Sequence, residues 1–222
     1  THWTQFLNSS QRDCLPILDI KNLNESCVID VRCEREFKRG HMTNSINVPI
    51  FNDEQYQHLG KLYKNSGKDT AYNLGLEFVS SRRQFILSTV KKLKERNLVV
   101  YCARGGMRSK GFQMLLDEAE IRSVRIKNGY KSIRKQNLDS LSFKREIIIV
   151  AGGTGTEKTK ILKSMQSDGH SVIDLESLAN HRGSAFGDIG TGPQATQQQF
   201  ENDLAHEWST ATHSDVVFIE SE

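Results

Sequence analysis

Two hydrophobic patterns alternate along this chain. Short unbroken runs rich in β-branched residues read as strands, and apolar positions at helical spacing fill the stretches between them. Ser26–Val31 (SCVIDV) is the first such run, passing through Asp30 to meet Arg32. Glu34–Arg39 reads as a polar helical turn, and Ser45–Val48 (SINV) as a second strand stopped by Pro49, which has no amide to give a ladder. Residues 53–75 are polar and carry Gly60, Gly67 and Gly75, so they predict an irregular excursion or short helices. From Glu77 to Arg96 the apolar residues Phe78, Val79, Phe85, Ile86, Val90 and Leu93 recur at helical spacing. Leu98–Tyr101 is the next strand, Ser109–Glu120 its following helix, and Ser123–Ile126 another strand before an Asn128-Gly129 turn.

Near residue 140 the pattern restarts. Glu146–Ala151 (EIIIVA) shows no alternation, which predicts a strand buried on both faces. A glycine-rich turn and a helix at Lys160–Ser167 follow, then a strand at Val172–Leu175, a helix at Gln197–Trp208 and a last apolar strand at Val216–Ile219. Strand–helix alternation of this kind predicts an α/β fold with parallel sheets. The restart predicts two domains, 1–142 and 143–222, the second incomplete.

Composition changes this picture little, and charge somewhat more. The 222 residues are 36% hydrophobic and 26% charged, an ordinary globular mixture. No 18-residue apolar run exists for a membrane span, and the polar start THWTQFLNSSQRDC lacks a signal-peptide core. The four cysteines, Cys14, Cys27, Cys33 and Cys102, form no CxxC pair, so neither a disulfide framework nor a zinc site is expected and a reducing cytoplasm is the default. The net charge of +3 hides an asymmetry: residues 1–143 carry 24 Lys/Arg against 15 Asp/Glu, residues 144–222 carry 6 against 12. The basic part is suited to a polyanion or merely to solvent.

Candidate chemistry concentrates in residues 98–111, LVVYCARGGMRSKG. A buried strand delivers Cys102 into the loop Ala103, Arg104, Gly105, Gly106, Met107, closed by Arg108 and Ser109 as a helix begins. Glycines let successive amides face the loop centre, the helix adds its positive end, and arginine adds full charge. Such surroundings lower a thiol pKa from about 8.5 to roughly 3.5–7.5 and populate the nucleophilic thiolate. Cys102 and Arg108 are therefore the expected catalytic pair, and residues 103–107 the expected anion loop.

A second constellation, Gly152, Gly153, Thr154, Gly155, Thr156, Glu157, Lys158, Thr159, approximates the phosphate-binding pattern GxxxxGK[ST]. Gly152, Lys158 and Thr159 fit, whereas Glu157 stands where the pattern has glycine. Its carboxylate and Cβ leave ligand binding open. Asp174, Glu220 and Glu222 sit where such folds place magnesium-directed carboxylates, or are solvated turn residues. His181 and Arg182 offer an anion contact beside Gly183. Lys127, Lys131, Arg134 and Lys135 with Tyr130 read as an RNA-contacting segment or as a solvated helix face.

The first part resembles a rhodanese domain: Glu36, Phe37, Gly40 and His41 in IDVRCEREFKRGHMTNSINVPI fall in that family's pattern, where they are mostly structural, and Cys102 matches its persulfide-carrying cysteine. Five residues separate Cys102 from Arg108, as in phosphatase relatives, where sulfur-transferring members commonly have four. The whole chain resembles bacterial-type tRNA 2-selenouridine synthases through YCARGGMRSKG, LGKLYKNSGKDTAYNLGLEFVS, NGYKSIRK, LANHRGSAFG and PQATQQQFEN. Departures are Glu157 and Ala103, where the family usually has tryptophan; that family also continues beyond VFIESE, so the chain reads as C-terminally truncated.

The resemblance implies a rhodanese-like domain followed by a partial P-loop NTPase-like domain. It further implies a transferase that replaces sulfur by selenium in a wobble 2-thiouridine of tRNA. Selenophosphate would be the donor, an S-geranyl-2-thiouridine made from geranyl diphosphate the intermediate, and a Cys102 selenyl-sulfide the carrier. Lys158 and Thr159 would hold the diphosphate with Mg²⁺. The tRNA anticodon loop and small anions are the implied partners; no membrane contact is implied, and the oligomeric state is left open. Competing readings are a Cys-x5-Arg phosphatase, a plain sulfurtransferase and a degraded RNA-binding remnant.

Overall fold

The computed structural model describes residues 14–15, 26–93, 97–152, 156–180, 193–211 and 216–220. It forms two compact units, Thr1–Ile133 and Arg134–Glu222. Both are built on wholly parallel sheets, as the alternation of strands and helices predicts.

In the first unit, β1 (Cys14–Leu15), β2 (Ser26–Asp30), β3 (Ile46–Asn47), β4 (Asn97–Tyr101) and β5 (Ser123–Ile126) align in the order β1-β5-β4-β2-β3. Central β2 and β4 are apolar on both faces because both are covered. Val100, Ile29, Ile86, Phe112 and Leu116 pack on one side; Val99, Tyr101, Val124, Ile126 and Tyr130 pack on the other. Each such side chain contributes about 1.5–3 kcal/mol when fully buried. Strand parity assigns the residue after β4 to the first side, and Cys102 belongs to that cluster.

Helix α1 is Glu34–Arg39. The region 53–75 takes the helical of its two readings and not the irregular one: α2 (Asp53–Lys91) is helical throughout except at Gly67, whose φ of 84° and ψ of 177° break it. An Asn52–Gln55 capping box starts it. The two arms fold back on each other, so that a Cβ at Gly75 would touch Leu59 and Phe51, and the rings of His58 and Phe78 lie 6.2 Å apart. Only Ala71, Gly75, Ile86 and Val90 are buried in this helix. Its first arm therefore carries no apolar stripe for periodicity to detect.

Helix α3 (Met107–Asp117) follows β4, and α4 (Gly129–Leu141) runs across the division between the units. In the second unit β6 (Glu146–Val150), β7 (Val172–Ile173) and β8 (Val216–Glu220) pair in the order β6-β8-β7. With them are α5 (Lys158–Ser167), α6 (Leu175–Ala179) and α7 (Gln197–Thr210). Ile173, Trp208 and Val217 form the core with Leu175, Leu178 and Leu204. The predicted burial of β6 is not found: Ile147, Ile148 and Ile149 are exposed, the last at 64%. An apolar run reports the wish of both faces for cover, not its presence. β6 lies at the sheet edge, and α5 packs on β7 and β8 instead. No helix among the described residues is long and apolar enough to cross a membrane.

Candidate active site

Cys102 is 3% exposed, one residue past β4. Its Sγ lies 3.3 Å from Ser109 Oγ, and that hydroxyl donates to the Gly106 carbonyl at 3.2 Å. A hydroxyl rotates freely, so Ser109 is able to turn its proton toward an ionised sulfur. Residues 103–106 turn the chain from β4 into α3, whose N-cap is Gly106. Among the described residues, no acceptor is found for the amides of Ala103, Arg104, Gly105, Gly106, Met107 and Arg108. These donors lie in the turn that follows Cys102 and in the first turn of α3, where helix amides have no intrahelical partner.

The loop is held from behind by the Asn128-Gly129 turn. Tyr130 N donates to the Cys102 carbonyl at 2.8 Å and Lys131 N to the Ala103 carbonyl at 3.0 Å. Gly105 and Gly129 both have left-handed backbones, with φ of 65° and 56°. A Cβ on Gly129 would lie 2.1 Å from the Cys102 oxygen, and one on Gly105 would lie 2.8 Å from Asn128 N. Neither position has room for a side chain.

Arg108 differs from its expected role as a free anion ligand. Its Nη1 donates to Glu36 Oε2 at 2.5 Å and its Nη2 to Glu36 Oε1 at 3.2 Å, a two-point pair. The guanidinium also covers the Tyr56 ring at 4.6 Å. Burial pushes the Glu36 carboxyl upward, but the hydrogen bonds and charge of Arg108 outweigh it and hold Glu36 below the usual carboxylate range. Cys33 Sγ donates to Glu36 Oε2 at 3.3 Å; burial, first among its causes, pushes that thiol up to about 12. Sequence reasoning treated Glu36 as structural because nothing local connects it to Arg108, 72 residues away.

The basic segment read as RNA-contacting or as a solvated helix face separates into two sets. Lys127, Lys131 and Lys135 are exposed, as is Arg104 in the loop. Tyr130 is buried, with the Arg32 guanidinium 3.9 Å from its ring centroid, and does not present a stacking face. Arg134 pairs with Glu201 and donates to Asn202 Oδ1 at 3.1 Å, joining α4 to α7. The Asp30–Arg32 pair is likewise internal, with Arg32 Nη2 donating to the Gly40 carbonyl at 2.7 Å. His41 sits stacked on Phe37 at 3.7 Å, consistent with a structural role.

In the phosphate loop, Gly153, Thr154 and Gly155 lie outside the described residues, as do His181, Arg182 and Glu222. Lys158 Nζ bends back to the Gly152 carbonyl at 2.7 Å and lies 3.9 Å from Glu220. Glu157 adopts φ 59°, ψ 28°, the left-handed region that a glycine would occupy without strain. The two described carboxylates offered for Mg²⁺, Asp174 and Glu220, each have a partner. Asp174 caps α6 through Ser177 N at 2.9 Å, Glu220 faces Lys158, and the described residues hold no cluster of three metal-binding side chains.

Two family models match the chain, changing over later than the break between its compact units. Residues 17–153 match the rhodanese-like domain family and residues 145–222 match the tRNA 2-selenouridine synthase AAA domain. The tRNA 2-selenouridine synthase of Bdellovibrio bacteriovorus is 38% identical over 85% of this chain and 51% of its own length. That of Nitrosomonas europaea is 39% identical over 80% and 47%, and that of Hydrogenovibrio crunogenus 39% identical over 88% and 55%. The chain thus spans about half the length of these relatives. Among solved structures, the N-terminal domain of a Clostridium difficile 630 protein named for ATP/GTP binding superposes with a TM-score of 0.52. It is 33% identical and covers 55% of this chain and 97% of that one.

Proposed function

This chain belongs to the tRNA 2-selenouridine synthase family, and on that premise we propose that it serves to replace sulfur by selenium in a wobble 2-thiouridine of tRNA, in the cytoplasm. The donor in this reading is selenophosphate, and the uridine arrives as the S-geranyl thioether made from geranyl diphosphate. One observation carries the reading: a buried cysteine beside a serine hydroxyl, at the rim of six backbone amides with no acceptor among the described residues. The amides suit a tetrahedral anion. Exposed Arg104, Lys127 and Lys131 suit a nucleic-acid backbone. Anticodon-loop bases are open to such approach because single-stranded positions unstack.

Electron counting changes one step of the sequence reading. Thiolate attack on selenium would expel phosphorus with the bonding pair, as phosphite, so a selenyl-sulfide with phosphate as product needs an added oxidant. Attack on phosphorus needs none. The Cys102 S–P bond forms, the P–Se bond breaks, and selenium leaves as hydroselenide with the bonding pair. Hydroselenide adds to carbon 2 of the S-geranylated base and geranyl thiolate departs, taking a proton from water. Water then cleaves the phosphocysteine to phosphate and thiol. Lys158 and Thr159 would hold the geranyl diphosphate once Lys158 leaves Gly152; no step is assigned to Mg²⁺.

The test is peptide mass spectrometry of Cys102 after incubation with selenophosphate. A phosphoryl adduct is expected, distinguished from a nearly isobaric selenium adduct by selenium's isotope envelope. A selenium envelope on Cys102 would overturn the phosphorus route. An adduct with thiosulfate or an aryl phosphate, and none with selenophosphate, would replace the proposal by a sulfurtransferase or a phosphatase.

A further inference from the structure

We propose that Glu36 is a positioning residue that withholds Arg108 from the Cys102 loop and so weakens the loop's hold on free oxyanions such as inorganic phosphate. The inference rests on the reading of residues 103–108 as an oxyanion site. A guanidinium recognises phosphate through the same two-point edge with which it recognises carboxylate. In this protein that edge is occupied: Nη1 and Nη2 of Arg108 both donate to Glu36. The pair is fixed on two further sides. Tyr56 lies against the guanidinium, and Cys33 Sγ bonds to the carboxylate. The side chains of Arg108 and Glu36 are only 16% and 22% exposed, so water competes little for them.

Arg108 stands in the first turn of α3, the helix that begins where the Cys102 loop ends. An oxyanion in the loop therefore meets amides first and gains the arginine edge only by displacing Glu36. Its apparent affinity falls by the fraction of Arg108 that is released. The gain is release of phosphate once it has formed. A loop that must accept a phosphorus-bearing donor and then discard phosphate is poorly served by an arginine that binds every oxyanion alike.

The experiment uses the whole chain. Inorganic phosphate is titrated at constant ionic strength against alkylation of Cys102 by iodoacetamide, read on the Cys102 peptide. Glu36→Gln is expected to be half-protected at about tenfold lower phosphate than the parent. Glu36→Asp, which keeps the charge, is expected to stay within about twofold of the parent. The double variant Glu36→Gln/Arg108→Gln should also match the parent, since neither offers a free arginine edge. Unchanged or weaker protection in Glu36→Gln overturns the proposal. Clearly weaker protection in the double variant does so as well, and this arm holds even if the single variant fails to fold. If phosphate protects Cys102 in none of these proteins, the oxyanion reading of the loop falls and takes this inference with it. Loss of the selenium chemistry alone would leave the protection pattern intact.

Discussion

Residues 97–117 and 146–167 share one plan, an apolar strand, a glycine-containing turn and a helix, yet the structure treats them differently. The first strand is central, with Val99, Val100 and Tyr101 at 0% exposure, and its turn is braced by a second turn bonded to the Cys102 and Ala103 carbonyls. The second strand is outermost among the described strands of its sheet, with three exposed isoleucines in a span about half the length of its relatives, and Lys158 after its turn bonds the Gly152 carbonyl. The two described turns thus differ in what stands behind each rather than in their pattern of residues. Preorganisation comes from the surrounding packing, which fixes donors before any ligand arrives.

The comparison is most severely tested at the first turn. Cys102→Ala should reduce both covalent labelling at this peptide and selenium transfer to background; retained transfer in a tRNA assay would show that the braced loop is not the reacting one. Gly129→Ala should follow in size. Its new methyl meets the Cys102 oxygen at 2.1 Å in a left-handed backbone. We expect a loss of at least about 2 kcal/mol in urea unfolding of the first unit, and an unchanged midpoint would mean the two turns are not interlocked.

Arg108→Lys comes next. Lysine keeps the charge but not the planar two-point contact, so stability should fall by about 1–2 kcal/mol. Acid sensitivity sharpens the same point. Glu36 titrates below its unfolded value, so its share of stability is complete above the ordinary carboxylate range and is lost as pH falls through the lower, folded value. Arg108→Lys should flatten that acid limb; an identical limb in both proteins would remove the pair from the account. The smallest change is expected at the second turn. Glu157→Gly relieves a left-handed residue worth about 1–2 kcal/mol but frees the unfolded chain. Net stabilisation of about 0.5 kcal/mol should appear in thermal melts. Geranyl diphosphate should bind the variant more tightly by calorimetry. Equal, tight binding in both would remove Glu157 as grounds for calling this loop degraded.

Legibility followed locality. The strand runs, the Cys102 turn and the Asn128-Gly129 turn are readable because each is specified by neighbours in sequence. The first arm of α2 stayed open between an irregular excursion and short helices because little of it is buried and no apolar stripe marks it, although its Asn52–Gln55 capping box is local. Exposure of β6 was hidden because a run of isoleucines does not say who covers it. The Glu36–Arg108 pair and the burial of Tyr130 against Arg32 depend on which strands lie side by side, and that is settled by the sheet order.

The contact between Gly105 and Gly129 carries a consequence for how such a chain can drift. Each glycine occupies space that the other's neighbourhood denies to any larger residue. Neither position is able to change first, and a paired change would still have to restore two left-handed turns at once. The two sites are thus frozen jointly, and any lineage that relaxes one should be found to have surrendered the geometry around the sulfur as well.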